Sequence, residues 1–424
     1  MAGRIQLATT GPQDQFFTLD PEYTLFKENF RKHSNYSVEF VNIEPDQQIV
    51  DYFGKTVRYR IPSNAGDLLK TCSLAFTLPG INQLASNVGY IDSVGHALIE
   101  YADILIDDQI VHRVTSDWFQ IYSEHYFTQT KQNALYQLVG KYPYRTAGTR
   151  SNDKTILGHL GTSTADVDFY VDIPFYNYRE PELALPLCAI CTSEVEIEIK
   201  FRKYEDLIVD TYDGSLPVLA QPITFKNVNL QCEMVFLDDV EKIKFKKTPV
   251  DYLIVQNQQQ NFVVPKNQNT AKFKLRFVNP VKELYFVIQS KGARVFDYDN
   301  YRETSDVDNK LILFEHLNYL KLTLDGEEVL TEKTGKSIFL KAVQAGIHHS
   351  KTQLIRRFYS YSFALEPEKH YPSGHINFTV IKDQVLELNL HSNVIQDREV
   401  RVYARAYNVL RVAGGKAKLI FGNQ

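Results

Sequence analysis

Residues 194–201 read EVEIEIKF, with Val195, Ile197, Ile199 and Phe201 at one parity and Glu194, Glu196, Glu198 and Lys200 at the other. Successive side chains of an extended strand point to opposite faces, so this pattern calls for a strand with one face on a core and the other in water. The same period returns at Leu320, Leu322 and Leu324, at Leu386, Leu388 and Leu390, and at Phe273, Leu275 and Phe277, each run bounded by Asp, Asn, Gly or Pro. Many short strands of this kind with few helical runs predict an all-β chain built from sandwiches.

One sandwich is not enough for the length. At 424 residues the chain exceeds the roughly 250–300 residues at which a single hydrophobic core stops growing, and two cores of about 200 residues each are expected. The 26 Tyr and 26 Phe, against 2 Met and 1 Trp, suit pleated, half-buried surfaces. A stretch at 204–222 with Asp213-Gly214-Ser215, Pro217 and Pro222, between a finished strand and the next apolar run, marks the expected junction. The reading is therefore an arm at 1–20, a first sandwich at 21–212, a linker at 213–222 and a second sandwich at 223–424. No repeat between the halves is visible in the residues. One helix is expected at 116–130, capped by Ser116 or Asp117, with Trp118, Ile121, Tyr122 and Tyr126 at spacings of three and four. It reads as an excursion between strands, packed on the first sandwich. Stretches 144–166, 256–261 (QNQQQN) and 297–309 read as exposed loops.

The formal net charge of −4 lacks the basic excess of a genome-coating protein. No apolar run approaches the roughly 18–20 residues of a membrane span, and residues 1–20 carry no apolar signal core, so the four cysteines are expected as thiols in a reducing compartment. Cys188 and Cys191 form a lone Cys-x-x-Cys without a second pair, and Cys72 and Cys232 stand apart. Buried structural thiols are the expectation there. TGKS at 334–337 ends like a phosphate-binding loop, but Leu330 stands where that loop needs glycine. His348 and His349 are adjacent, so on a strand they would face opposite sides and not share a metal. Asp297, Asp299, Asp306 and Asp308 hint at calcium, but Tyr301 and Arg302 break the loop pattern. Arg398, Arg401, Arg405, Arg411, Lys416 and Lys418 tilt the C-terminal stretch basic. They read either as a solvated strand face or as a surface for an anionic partner such as a neighbouring subunit. No nucleophile–base pair or paired carboxylates can be assembled, and no catalytic, cofactor or metal site is expected.

Several segments resemble one family in order along the chain. They are Gly11, Gln13, Asp14, Phe26, Lys27, Phe30, Arg31 and His33; VGHALIE (94–100); LIDDQIVHRVTSDWFQIYSE (105–124); IPFYNYREPELALPL (173–187); NPVKELYFVIQ (279–289); YSFALEPEKHYPSG (361–374); and AYNVLRV (406–412). Together they resemble the double jelly-roll major capsid proteins of large double-stranded DNA viruses, polinton-like viruses and virophages. The resemblance implies two tandem jelly rolls with short helices in inter-strand loops, and a structural, non-enzymatic shell protein of the virion assembled in the host cytoplasm. It also implies homotrimeric capsomers tiling an icosahedral shell, with neighbouring capsomers, penton and minor capsid proteins and an internal membrane as partners, and no sequence-specific nucleic-acid binding. Other readings of a jelly roll are a carbohydrate-binding module and a cupin-like metal enzyme, the latter disfavoured by the missing His-x-His and Glu set.

Overall fold

The computed structural model describes residues 3–28, 30–47, 49–81, 88–141, 166–210, 224, 226–291, 301–303, 311–313, 315–351, 358–392 and 397–422. The chain divides into two units, Met1–Tyr36 and Ser37–Gln424. In the first, short helices form at Gly3–Ala8 and Pro12–Thr18. Pro12 occupies the first turn of its helix, and the Asp14 carboxylate accepts the Gly11 backbone N–H at 2.7 Å.

Sixteen of the described strands fall into two sets of eight, with a few short strands beside them. The first set is β1 (Tyr36–Ile43), β2 (Thr56–Ile61), β3 (Leu68–Leu78), β4 (Ile99–Ile106), β5 (Gln109–Thr115), β6 (Val167–Ile173), β7 (Val195–Phe201) and β8 (Lys226–Leu237). They build two sheets in the orders β1-β8-β3-β6 and β2-β7-β4-β5. The second set is β9 (Val250–Val264), β10 (Thr270–Lys274), β11 (Pro280–Ser290), β12 (Leu317–Leu324), β13 (Glu327–Leu330), β14 (Phe358–Ser362), β15 (Gln384–Leu390) and β16 (Arg398–Ala413). Their orders are β9-β16-β11-β14 and β10-β15-β12-β13. Adding eight to every label of the first sandwich reproduces the second. Each is a jelly roll, in which the chain alternates between facing sheets so that sequence neighbours are rarely sheet neighbours. The duplication that the residues conceal is explicit in the topology.

The alternation places the cores. Val195, Ile197, Ile199 and Phe201 are buried in the first, and Leu320, Leu322, Leu324, Leu386, Leu388 and Leu390 in the second. The junction expected at 213–222 lies outside the described residues. The strand that follows it, β8, does not open the second half but pairs antiparallel with β3, Cys232 directly opposite Cys72. QNQQQN is not a loop: all six residues lie in β9, in register with Arg401–Ala406 of β16. Gly, Pro and Ser are absent from this run, and its amide side chains suit a strand whose outer face is polar. Of the loop expected at 297–309, residues 301–303 form a short ribbon with 311–313. The remainder, with Asp297, Asp299, Asp306 and Asp308, and residues 144–165 lie outside the described residues.

The glycine of TGKS has a packing reason. A Cβ on Gly335 would lie 1.7 Å from the carbonyl oxygen of Leu320, because the Leu320 N–H donates to the Gly335 carbonyl at 2.9 Å and locks this turn against β12. Gly335→Ala must push the turn off the strand. We expect a loss of about 3 kcal/mol in denaturant unfolding, whereas Gly3→Ala, with nothing near its Cβ, should leave the midpoint unchanged.

Candidate functional site

The central strands β16 and β11 of the sheet β9-β16-β11-β14 are buried on both faces along most of their length. Along β11, Leu284, Phe286 and Ile288 enter the second core, while Tyr285 and Val287 belong to the cluster of the first. A register shift between Val281 and Glu283, a bulge, keeps Val281 on the core side. Tyr403 of β16 and Phe358 of β14 also join the first cluster. The two jelly rolls therefore share a continuous interior across a seam.

The filler of the seam is α1 (Ser116–His125), which leaves β5 directly and has Thr115, not Ser116 or Asp117, at the cap position. It is buried nearly all round, as befits a helix between two bodies rather than one lying on a surface. Phe119 faces the first sandwich at His96, ring centroids 5.5 Å apart, and Trp118 meets Tyr285 of the second edge-on at 5.6 Å. The expected helix ends at His125, and α2 (Gln129–Val139) follows as a separate helix closed by Gly140 at φ +70°.

Charges cluster where the sandwiches meet. Glu283, fully buried, accepts from Tyr126 at 2.6 Å and Tyr285 at 3.1 Å, and pairs with the Arg405 guanidinium. Arg405 lies 4.7 Å from the Trp118 ring centroid, a cation on an aromatic face. The buried His349 ring sits between Glu283 and Glu368, each 3.5 Å away, and meets the His125 ring at 5.1 Å. Alongside, Asp117 accepts from Arg401 and from Tyr403, the latter at 2.6 Å. Glu124 pairs with Lys141. On the surface His370 bridges Glu180 at 3.2 Å and Glu182 at 3.4 Å. Burial opposes the charge on Glu283, but Arg405, His349 and Lys282 overcome it and hold the carboxyl down to about 2. Burial, aided by His349, pushes His125 down to about 4, and burial pushes His112 down to about 3.

These contacts revise the reading of the basic C-terminal stretch. Arg401 and Arg405 do meet anionic partners, but within the same chain, at Asp117 and Glu283. Arg398 is buried against the carbonyls of His391 and Gln268, and Arg411 pairs with Asp251 at the surface. Residues 348 and 349 end a helical turn rather than lie on a strand. His349 enters the seam, while His348 contacts the Leu365 carbonyl at 3.1 Å. Cys191 is exposed and Cys188 half-buried, so the Cys-x-x-Cys is not a buried pair. Cys72 and Cys232 are the buried ones, sulfurs 3.7 Å apart. Among the described residues, no group of three or more His, Cys, Asp or Glu is placed to hold a metal ion.

An architecture of two eight-stranded sandwiches joined by a buried seam has known counterparts. Residues 24–238 match the family model "Major capsid protein N-terminus", and residues 241–417 match "Large eukaryotic DNA virus major capsid protein". The chain belongs to this family. Among relatives, the major capsid protein of Pyramimonas orientalis virus is 29% identical with 99% of both chains covered, and that of Paramecium bursaria Chlorella virus 1 is 26% identical with 100% of both covered. In the PBCV-1 virus capsid the matching chain superposes with a TM-score of 0.76 at 21% identity, covering 94% of this chain and 100% of the other. The Faustovirus major capsid protein gives 0.73 at 13%, covering 97% and 96%. This capsid protein is thus a double jelly roll, a structural component of virions and not an enzyme.

For the capsid protein the seam is the part to test. Glu283→Gln leaves Arg405 buried without a counter-charge, and a loss of about 3–5 kcal/mol is expected in equilibrium unfolding. Replacing both partners, as Glu283→Gln with Arg405→Met, should recover part of it. The histidines set a pH window. Unfolded, they bind protons near the ordinary value of 6.5, but folded His125 does so only near 4 and His112 near 3. The unfolded chain therefore takes up protons first as pH falls. Stability should decline from about pH 6.5 toward 4, by up to about 1.4 kcal/mol per pH unit for each histidine. Glu283, depressed from 4.5 to about 2, stabilises above about 4.5 and adds its own loss below that. Thermal unfolding followed between pH 7 and 4 checks the window, and His125→Gln should flatten the slope.

Proposed function

We propose that three copies of the chain form a capsomer of pseudo-hexagonal outline and that such capsomers tile an icosahedral shell. The observation that carries this is the repeated strand order. Two like sandwiches per chain and three chains per ring supply six similar wedges, so a threefold ring acquires a nearly sixfold outline and can tile a plane. The charged, aromatic seam supports the reading, because a tile works only if its two wedges keep one relative orientation. Likeness to capsid proteins covered almost end to end supports it as well.

Subunit contacts within the ring bury roughly 2,000 Å² or more in obligate assemblies, while contacts between capsomers are smaller and more polar. Neighbouring capsomers, penton and minor capsid proteins and an internal membrane are the proposed surroundings, with assembly in the host cytoplasm. Function resides in interfaces, without a catalytic, cofactor or metal site. Direct sequence-specific nucleic-acid binding is not part of the reading, in keeping with a net charge of −4. We place the boundary between the jelly rolls after β8, where the two family matches also meet, and treat Met1–Tyr36 as the arm. Phe16, Phe17, Phe26 and Phe30 of that arm are all at least 80% exposed, more apolar surface than a short free segment carries without a partner.

Native mass spectrometry should find three times the 48.9 kDa of the chain. Deleting residues 2–19 should leave that mass unchanged while closed particles fail or become irregular in electron micrographs. A persistent monomer would defeat the trimer, and normal shells from the truncated chain would remove the arm from assembly.

A further inference from the structure

Two of the chain's four cysteines face each other inside the first jelly roll. Cys72 of β3 stands directly opposite Cys232 of β8 in an antiparallel pair, with Leu74 opposite Leu230 two residues along. These are the two inner strands of the sheet β1-β8-β3-β6. Opposed residues of such a pair project to the same face, and here that face is the core. Both cysteines belong to the first hydrophobic cluster, at 1% and 0% exposure. The Cys232 thiol donates to the Cys72 sulfur at 3.7 Å, so the two side chains are turned toward each other.

This placement meets the requirements of a covalent bridge. A disulfide spans Cα atoms roughly 4.4–6.8 Å apart. Directly opposed residues of an antiparallel ladder stand about 4.5 or 5.5 Å apart, according to their hydrogen-bonding class, and either spacing is inside that window. The backbone need not move. Only the sulfurs must close, from 3.7 Å to about 2.05 Å, by rotation of side chains that already converge. A buried cysteine that serves as a small apolar residue needs no such partner. The fold nevertheless brings two of only four cysteines sulfur to sulfur from positions 160 apart, which apolar packing alone does not ask for.

The geometry points to a latent intrachain disulfide between Cys72 and Cys232, closed by a disulfide oxidant of the glutathione class. One cysteine, as thiolate, attacks a sulfur of the oxidant and releases one small thiol, and the second cysteine then displaces the other. The chain loses two electrons and two protons, and the oxidant is reduced to two thiols. In the folded, reduced chain the step is slow. The hydrogen bond with Cys232, together with burial, holds the Cys72 thiol well above its ordinary range, and the thiolate is the attacking form. The bridge therefore forms as the strands open and reclose. Positions 72 and 232 bracket β4 to β7 with α1 and α2, so closure ties most of the first jelly roll, including the helix of the seam, into one loop. A cross-link across so long a loop restricts the unfolded chain strongly. A virion carries its capsid protein out of a reducing cell interior into an oxidising exterior, where the bridge locks the subunit. That timing rests on the proposed assembly in the host cytoplasm, whereas the bond itself does not.

The test uses the full-length chain, unaltered and with Cys188→Ser and Cys191→Ser, half-buried and exposed positions, so that in the second form only the pair remains. Both are equilibrated with oxidised and reduced glutathione in urea just below the unfolding transition, where the sheet opens and recloses. They are then fully unfolded in N-ethylmaleimide and digested without reductant for mass spectrometry. Peptides joined between positions 72 and 232, lighter by two hydrogens, are expected from both forms. After removal of urea, the oxidised chain should melt several degrees above the reduced one, and added reductant should abolish the difference. Cys232→Ser should show no such redox-dependent shift. The proposal is overturned if both cysteines take up N-ethylmaleimide after equilibration, which makes them structural thiols, or if the joined peptides are missing from the unaltered chain. It is overturned equally by a bridge between two chains, or by an intrachain bridge that fails to raise the melting temperature. Native mass spectrometry of the same samples keeps this result apart from the trimer, since the bridge is expected whatever the number of subunits.

Discussion

The pairing of Arg405 with Glu283 beneath Trp118 is the contact on which the rest of the chain's organisation turns. It joins a helix that belongs by sequence to the first jelly roll to the central strands of a sheet that belongs to the second. Those central strands have no solvent face to spare: one side closes their own core, and the other closes the seam. Separating the sandwiches would expose two aromatic surfaces and strand several buried charges at once.

Buried ion pairs are poor sources of net stability, since desolvation of two charges roughly offsets their attraction. Their contribution here is geometric. Aromatic rings alone tolerate sliding, whereas the carboxylate of Glu283, met by Tyr126, Tyr285 and Arg405, has one arrangement that satisfies it. Asp117 with Arg401 and Tyr403 repeats the device one step along the same strands. The two sandwiches are held at one angle rather than merely held together. For a protein whose work is to present fixed faces to its neighbours, orientation is the property that counts.

The strand alternation was legible wherever a strand has one dry and one wet face, as at 194–201 and 320–324, and so were the β class, the need for two cores and the Asp-Trp helix. The misreadings share a cause. Arg401 and Arg405 alternate with apolar residues and look solvated, because residue spacing reports which face a side chain occupies but not what covers that face. QNQQQN looks like a loop, since its amides have no apolar period, yet β16 supplies every backbone partner and strand geometry asks nothing more. Cys72 and Cys232 look isolated because they are separated by 160 positions, and Gly335 looks like a remnant phosphate loop because its real constraint, the carbonyl of Leu320, is fifteen residues upstream.

By itself the sequence determined the local rules: which residues alternate, where chain direction must reverse, that the interior is aromatic and β-branched, and which family's order of segments the chain follows. Tertiary structure alone decided the pairings, because in a jelly roll each strand's sheet neighbours come from distant parts of the chain, and local periodicity carries no information about them. The same holds for the seam. Asp117, Tyr126, Glu283, His349 and Arg405 are ordinary polar residues in four separate segments, and only closure of the second sandwich onto α1 removes their water and makes them one interdependent set.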